Sequence, residues 1–597
     1  MQKELRQERK AAKPLADELQ RTKKLWERLR RQSHVPKEER QKLIEELFGI
    51  ITGRVKEFVF KHDSVRVVQT AIKYATPERR KAIAMELKGT YAELAEGRYS
   101  KFLIGKLMVQ NDKEVQDMII SEFYGKVKKL INHAEASWIL DDIYRVIATK
   151  EQKAILLREW YGPEFALMNQ SQDATPDADL SKILEAEPAK RSPIMSYLFS
   201  LINSLIQKKL TGFTMLHDAM LQYLLNVKRD SESWNEFFET VKGDEAGDLL
   251  KNMAFTRSGS RIVALLLAYG SAKDRKQMLK TFKDTVALMS GDQFAHIVLL
   301  TIYEVIDDTK LSSKAVFPEL LGESDDTMAV NIAAAATNPN ALVSLLYLFD
   351  KEPKAAYARL SPALLNGDME ILNEVFNIRK ETSKKEPEAR RNELVKFLSP
   401  LLLKAVAAAA STLLSSPTGC QIVSQALFSG AGDKSDALKA VAAAAGGDPS
   451  EEASPSHVSQ SPAGKRLLKA LIAGGHFDKD SGAVKKVEPP LGFADILYPA
   501  IKDHALGWAT GPAAFVIVGL LEADDFSSTT ELTKLLKANV SAIRQAATEE
   551  TALQKAAREA ETQEQGANNT GKKTKKNSTK QEKSVGNAGA KLLLEKL

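Results

Sequence analysis

Arg66, Phe102 and Trp138 stand 36 residues apart, and each is flat or aromatic. Each is followed by an apolar pair: Val67-Val68, Leu103-Ile104 and Ile139-Leu140. A guanidinium or a ring left outside a helix can stack on an unpaired base, for about 1–3 kcal/mol per base. The cations around them, Lys61, Arg98, Lys101, Lys106, Lys126, Lys128 and Lys129, are the kind that neutralise phosphates. The competing readings are plain. Phe102, Trp138 and Phe515 could be core packing between repeats, and any one lysine could sit on a solvated helix face. Either way this is the chemistry of binding.

No catalytic constellation accompanies it. The eight histidines show no HExxH or paired metal spacing. Cys420 falls in an apolar helical run and reads as a small packed residue. Asp141-Asp142 and Asp307-Asp308 read as helix-surface acids, and His62-Asp63 as a turn contact. GANNTGKK (566–573) misses a phosphate-binding loop because Lys573 stands where Ser or Thr must hold magnesium, and no strand precedes it. The two Asn-x-Thr/Ser-like sites at Asn568 and Asn577 carry no meaning without a secretory signal. Neither a cofactor nor a metal is expected, and the chain is read as non-enzymatic.

The elements behind these residues are helices in a repeat. A fixed period between 20 and 50 residues marks a solenoid, in which each unit buries its apolar face against its neighbours. The same register returns around Met215, Arg261, His296, Ala341, Gln421, Arg466 and Phe515. Two gaps near 80 residues each leave room for one hidden repeat, giving ten to twelve from about 50 to 540. Alanine runs at 333–336, 407–410 and 442–445 favour helix. Hairpin signals between alternating apolar runs are missing. The sequence therefore predicts an all-α solenoid. Residues 1–49 form N-terminal basic helices, and 50–165 the first repeats. Residues 166–355 hold middle repeats with an insertion loop at 166–193. Residues 356–545 are a C-terminal repeat block with polar loops at 380–391, 446–462 and 474–490. Residues 546–597 form a basic, mostly disordered tail whose final KLLLEKL could make a turn or two of helix on a partner.

The net charge of +7 conceals a sharper pattern. Residues 1–160 carry 34 Lys/Arg and 24 Asp/Glu, or +10; residues 566–597 carry 8 and 2, or +6. The remainder is 7 − 10 − 6 = −9. Both ends are basic, which attracts polyanions. The tail segment GKKTKKNSTKQEK (571–583) reads as a nuclear address, as a basic arm, or as both. A stretch of about 18 uninterrupted apolar residues is missing, so no membrane partner is expected. The start MQKELRQERK lacks an apolar core. One cysteine excludes an intramolecular disulfide framework and fits a reducing compartment.

HDSVRVVQ, GSRIV, FAHIVLLTIYEVIDDTKL and the early WERLRRQ…EERQKLIEEL resemble the divergent Pumilio-repeat (PUF) family, in its nucleolar Puf-A/penguin branch. The likeness runs over about 20–540. It implies three-helix repeats whose second helix offers two outer residues to a base edge and a stacking residue between them. It implies RNA binding (pre-rRNA, with mRNA or duplex nucleic acid as alternatives), a role in large ribosomal subunit (pre-60S) biogenesis and rRNA processing, and a nuclear, nucleolar location. Implied partners are large-subunit ribosomal proteins and assembly factors, around a monomer within a ribonucleoprotein particle. The chain begins close to the first helix, so a charged leader of relatives is expected to be missing. On this alignment RNA contacts also fall to Gln69, Arg257, Arg261, His296, Lys465, Arg466 and Lys469. The pattern departs from sequence-reading members. Gly105, Ala264, Leu299 and Val518 have no polar side chain at an outer position, and Lys469 suits a phosphate. Polar or partly polar pairs remain only at Ser137/Asp141, Thr214/Asp218, Asn340/Ser344 and Cys420/Ser424. Binding with little sequence preference is therefore expected. The alternatives are an mRNA-binding translational repressor and a protein scaffold of HEAT or armadillo type.

Overall fold

The computed structural model describes residues 16–31, 35–62, 64–168, 177–244, 246–450, 457–478, 481–550, 554–555 and 585–597. Helices dominate, arranged in two compact units, residues 1–263 and 264–597, and the division falls within helix Arg257–Tyr269. The basic tail segment 571–583 lies outside the described residues.

In the first unit the helices Ala16–Arg30 and Lys37–Ile51 pair and cover the second helix of repeat 1. Three regular repeats follow. Repeat 1 comprises Val55–Val59, Val65–Tyr74 and Pro77–Glu86. Repeat 2 comprises Tyr91–Glu96, Lys101–Met108 and Lys113–Ser121. Repeat 3 comprises Val127–Ile131, Ala136–Asp142 and Lys150–Arg158. The third helices start from side-chain caps at Thr76, Asp112 and Thr149, each accepting an amide three residues on.

A second device sets each first helix. Gly53, Gly89 and Gly125 take left-handed φ of 78°, 86° and 75° immediately before it. A carboxylate from the end of the same repeat then clips the exposed amides. Glu86 accepts from Gly53 and Val55 at 3.0 and 2.5 Å. Glu122 accepts from Gly89 and Tyr91 at 2.5 and 2.9 Å, and Glu159 from Gly125 and Val127 at 2.6 and 3.0 Å. A negative charge at a helix N-terminus satisfies orphan amides and favours the dipole.

Repeat 4 (Arg191–Gln207, Thr214–Asn226, Glu232–Lys242) joins repeat 3 directly. Asp141 accepts from the Met215 amide at 2.9 Å, and the Tyr144 hydroxyl donates to Asp218 at 2.5 Å. The first wide gap therefore holds no hidden repeat. Its described part contributes helix Leu180–Ala186, which packs on the second helix of repeat 4, and the long first helix of that repeat.

In the second unit, repeat 6 (Val286–Gly291, His296–Val305, Thr309–Leu321) repeats the clip, with Asp284 at φ 63° and Glu319 accepting from the Asp284 and Val286 amides at 2.9 and 3.2 Å. Repeat 7 follows as Asp325–Thr337, Pro339–Leu346 and Pro353–Leu360. The second wide gap again holds no extra repeat. Helix Leu365–Thr382 folds back across the second helix of repeat 6, and Pro387–Leu414 runs beside repeats 6 and 7. Pro387–Leu414 is long and apolar enough to cross a bilayer by length and composition. Here Leu394, Leu398, Leu402, Val406 and Leu413 are buried against the neighbouring helices.

Two expectations are corrected. The loop over 474–490 contains an antiparallel hairpin, Gly475–Asp478 with Ala483–Lys486, and Gly482 at φ 65° stands just before its second strand. The final KLLLEKL docks on its own chain. Helix Ala588–Lys596 packs on Ala514–Glu522 and Val540–Thr548, so it stands as the second helix of a partial last repeat. Gly589 lies so close to Ala514 that a Cβ there would clash, and Asn587 donates to the Thr510 and Gly511 carbonyls.

Candidate nucleic-acid interface

In repeats 1 and 2 the second helix is anchored by its apolar pairs and by a serine. The Ser64 and Ser100 hydroxyls donate to the Phe58 and Leu94 carbonyls at the end of the preceding helix, at 2.6 and 2.8 Å. With Val67, Val68, Leu103, Ile104 and Leu140 buried, the helix geometry leaves Arg66, Phe102 and Trp138 facing outward. Phe102 is 53% exposed and Trp138 54%. Core packing, the competing reading for these rings, does not describe them. Trp138 is steadied edge-on by Phe213, with centroids 5.1 Å apart. The Lys101 ammonium lies 5.3 Å from the Phe102 ring centroid and 2.6 Å from Glu135 of the next repeat. Arg98 stacks on Tyr99 at 5.6 Å. Among the described residues Lys61, Arg66 and Lys106 have no carboxylate in ion-pair reach.

The outer positions of these helices are spent on joining repeats. Gln69 donates its amide to the Tyr99 carbonyl at 3.2 Å. Ser137 and Asp141 are buried. Burial pushes the Asp141 carboxyl up to about 6, against the pull of the Met215 and Thr214 amides. Burial likewise raises Asp218, which holds Tyr144. In the second unit the Asn340 amide donates to the Gly291 carbonyl, and the buried Ser344 hydroxyl to the Ser290 carbonyl. Cys420 is buried against the Leu414 carbonyl, and burial pushes its thiol up to about 11. All four polar pairs thus lose at least one member to the fold.

His296 is corrected most sharply. It is 0% exposed, its Nδ1 bonds the Asp292 carbonyl, and its Nε2 lies 2.7 Å from the Asp368 carboxylate on the helix folded across it. It has no surface to offer a ligand. Met215 and Ala341, at the same register, are buried too. Arg257 is exposed and Arg261 half-buried on helix Arg257–Tyr269. A smaller patch lies further on, where Lys469 sits 5.4 Å from the centroid of Phe515, itself 39% exposed, beside exposed Arg466. Lys465 is half-buried, and burial lowers its ammonium.

Lys126, Lys128 and Lys129 do not join the Trp138 helix. They sit on the first helix of repeat 3 and line a cleft against the long helix Arg191–Gln207. The spacing that marked Arg66, Phe102 and Trp138 could not reveal this, because the facing helix comes from the irregular gap.

Pumilio homology domain family member 6 of Schizosaccharomyces pombe is 33% identical over 544 residues, covering 91% of this chain and 80% of that protein. The chain belongs to the Pumilio homology domain family. Human Pumilio homolog 3 is 29% identical over 559 residues, 92% of this chain and 81% of that protein. Within this Pumilio array, residues 337–482 match the CPL (NUC119) domain, the region containing the helix across repeat 6 and the first strand of the hairpin. The crystal structure of human Puf-A superposes with a TM-score of 0.69 at 29% identity, covering 88% of this chain and 97% of that one. A second structure, of human Puf-A in complex with DNA, gives 0.69 at 29%, covering 89% and 98%. The helical solenoid read from the 36-residue period, and the Pumilio-type repeats that the resemblance implied, are the fold of this chain.

Proposed function

We propose that this chain is a non-enzymatic RNA-binding protein that acts in large ribosomal subunit biogenesis and rRNA processing in the nucleolus, holding RNA with little sequence preference. The observation that carries the RNA reading is the division of labour on the second helices. Arg66, Phe102 and Trp138 are left open in succession, while the polar residues that could read a base edge are turned into the fold. Stacking tolerates any base, and phosphate contacts carry no sequence. Lys61, Arg98 and Lys106 supply the charge, while Lys101 is held by Glu135, and Arg466, Lys469 and Phe515 form a smaller second patch. The DNA complex of human Puf-A supports a nucleic-acid ligand. The assembly role, the nucleolar location, and ribosomal proteins and assembly factors as partners rest on the family resemblance and the basic ends.

The test measures affinity against salt for a random-sequence single-stranded RNA, a Pumilio-site RNA and an RNA duplex. A steep salt slope with affinities for the two single strands within a few-fold of each other is expected. A preference above about a hundredfold for one short single strand belongs to base readout and overturns the reading. No binding at low salt would leave a protein scaffold instead. Depletion of the protein in its cells should accumulate unprocessed large-subunit rRNA precursors; normal processing would overturn the assembly role.

A further inference from the structure

The cleft between the first helix of repeat 3 and helix Arg191–Gln207 has a volume of about 640 Å³. Its floor and walls carry Lys126, Lys128, Lys129, Asn132, Tyr197 and Ser204. Lys128 lies 4.6 Å from the Tyr197 ring centroid, which fixes its ammonium at the mouth. Lys208 donates to the Asn132 side chain at 2.6 Å, bringing a fourth cation to the rim. Among the described residues Lys129 alone of these has a carboxylate, Glu96 at 2.5 Å, and Lys129 remains 69% exposed. Among the described residues Lys126 and Lys128 have none. Three ammonium groups in the lining and a fourth beside it, facing one acid, attract a polyanion.

We propose that this cleft is a second nucleic-acid site, separate from the stacking face, that grips the phosphate backbone of a duplex. It deepens the RNA-binding reading and rests on it. The lining points to phosphate. Ammonium, hydroxyl and amide groups are hydrogen-bond partners of phosphate oxygens, and lysine binds phosphate as a point charge. Peptide grooves instead present apolar pockets for anchoring side chains, and Leu201 is the one aliphatic side chain in this lining. One face of the Tyr197 ring already carries Lys128. A ligand whose bases are paired away and whose phosphates face outward fits best. The two sites use different helices, so a duplex and a single strand can be held at once.

The experiment uses the full chain with Lys126→Gln, Lys128→Gln and Lys129→Gln combined, beside Arg66→Ala, Phe102→Ala and Trp138→Ala combined. The probes are a blunt 20-base-pair RNA duplex and a 12-residue oligouridine. The lysine variant should lose tenfold or more in duplex affinity, with a salt slope shallower by about 2–3, since each phosphate contact contributes about one. Its oligouridine affinity should fall less than threefold. The stacking variant should show the reverse preference. Saturating oligouridine should leave labelled duplex bound to wild-type protein. An unchanged duplex slope in the lysine variant, full competition between the probes, or poly-glutamate binding the cleft as tightly as duplex overturns the proposal. Loss of both probes in the lysine variant with native circular dichroism also overturns it. Wild-type protein that binds neither RNA overturns the parent reading itself.

Discussion

Repeats 2 and 6 are built from the same three helices and the same carboxylate clip, yet their second helices meet opposite fates. In repeat 2 the helix Lys101–Met108 keeps Phe102 and Lys106 open. In repeat 6 all ten residues of His296–Val305 are buried, because Leu365–Thr382 lies across them. That roof is pinned along its length. Asp368 meets His296, Arg379 pairs with Glu304, and Thr382 accepts from Arg275 at 2.9 Å. Arg275 also serves the Leu267, Ala268 and Val305 carbonyls. Just beyond the roof, Arg390 pairs with Asp307 at 2.6 Å. A repeat's register decides which side chains point outward. What folds back over the array decides whether outward means exposed.

The largest effect expected from breaking this comparison is on the roof. Arg390→Ala leaves Asp307 without its cation and should cost about 3 kcal/mol in urea unfolding, with no loss of RNA affinity. Next comes acid. Burial raises the Asp307 carboxyl, but the Ser383 hydroxyl, Arg390 and the Lys384 amide together outweigh it and bring it to about 2. A folded pKa below the ordinary carboxylate value gives stability that is present above about pH 4 and lost as pH falls through about 2. Screened by solvent, the contribution is about 1 kcal/mol, and acid titration of wild type against Asp307→Asn should reveal it. Asp141, at the join of repeats 3 and 4, has the opposite sign. Raised to about 6, it favours the fold below about pH 4 and loses that contribution as pH rises through 6. Asp141→Asn should therefore be more stable than wild type at pH 8 by about 1–2 kcal/mol, read as a higher urea midpoint.

Smaller effects test the open side. Phe102→Ala or Trp138→Ala alone should weaken single-stranded RNA binding by about 1.4 kcal/mol, roughly tenfold. His296→Ala should leave RNA affinity unchanged, because the roof already covers that position. Glu122→Ala should cost about 1 kcal/mol and speed hydrogen exchange at the Gly89 and Tyr91 amides.

The all-α repeat and the register of the trio were legible, because apolar pairs at a fixed spacing report what packs inside one repeat, but the same spacing fits Phe102 and Trp138 either packed between repeats or open. The expectation of little sequence preference rests on Gly105, Ala264, Leu299 and Val518, which carry no polar side chain. The glutamate clip left a trace that went unread. Gly53, Gly89 and Gly125 stand 36 residues apart, as the rings do, and Glu86, Glu122 and Glu159 keep nearly the same step. The roof and the Lys126–Tyr197 cleft left no periodic trace, since each joins a regular helix to one from an irregular gap. His296 was misplaced for that reason, and so were the hidden repeats.

The last partial repeat is assembled from two helices with a long detour between them. Gln554 and Gly586 exchange hydrogen bonds at 3.1 and 3.4 Å and so fasten the two ends of that detour. These two bonds, with the Asn587 side chain accepting from the Gly589 and Ala590 amides, set where helix Ala588–Lys596 begins, so the last repeat is closed by residues that lie far apart in sequence.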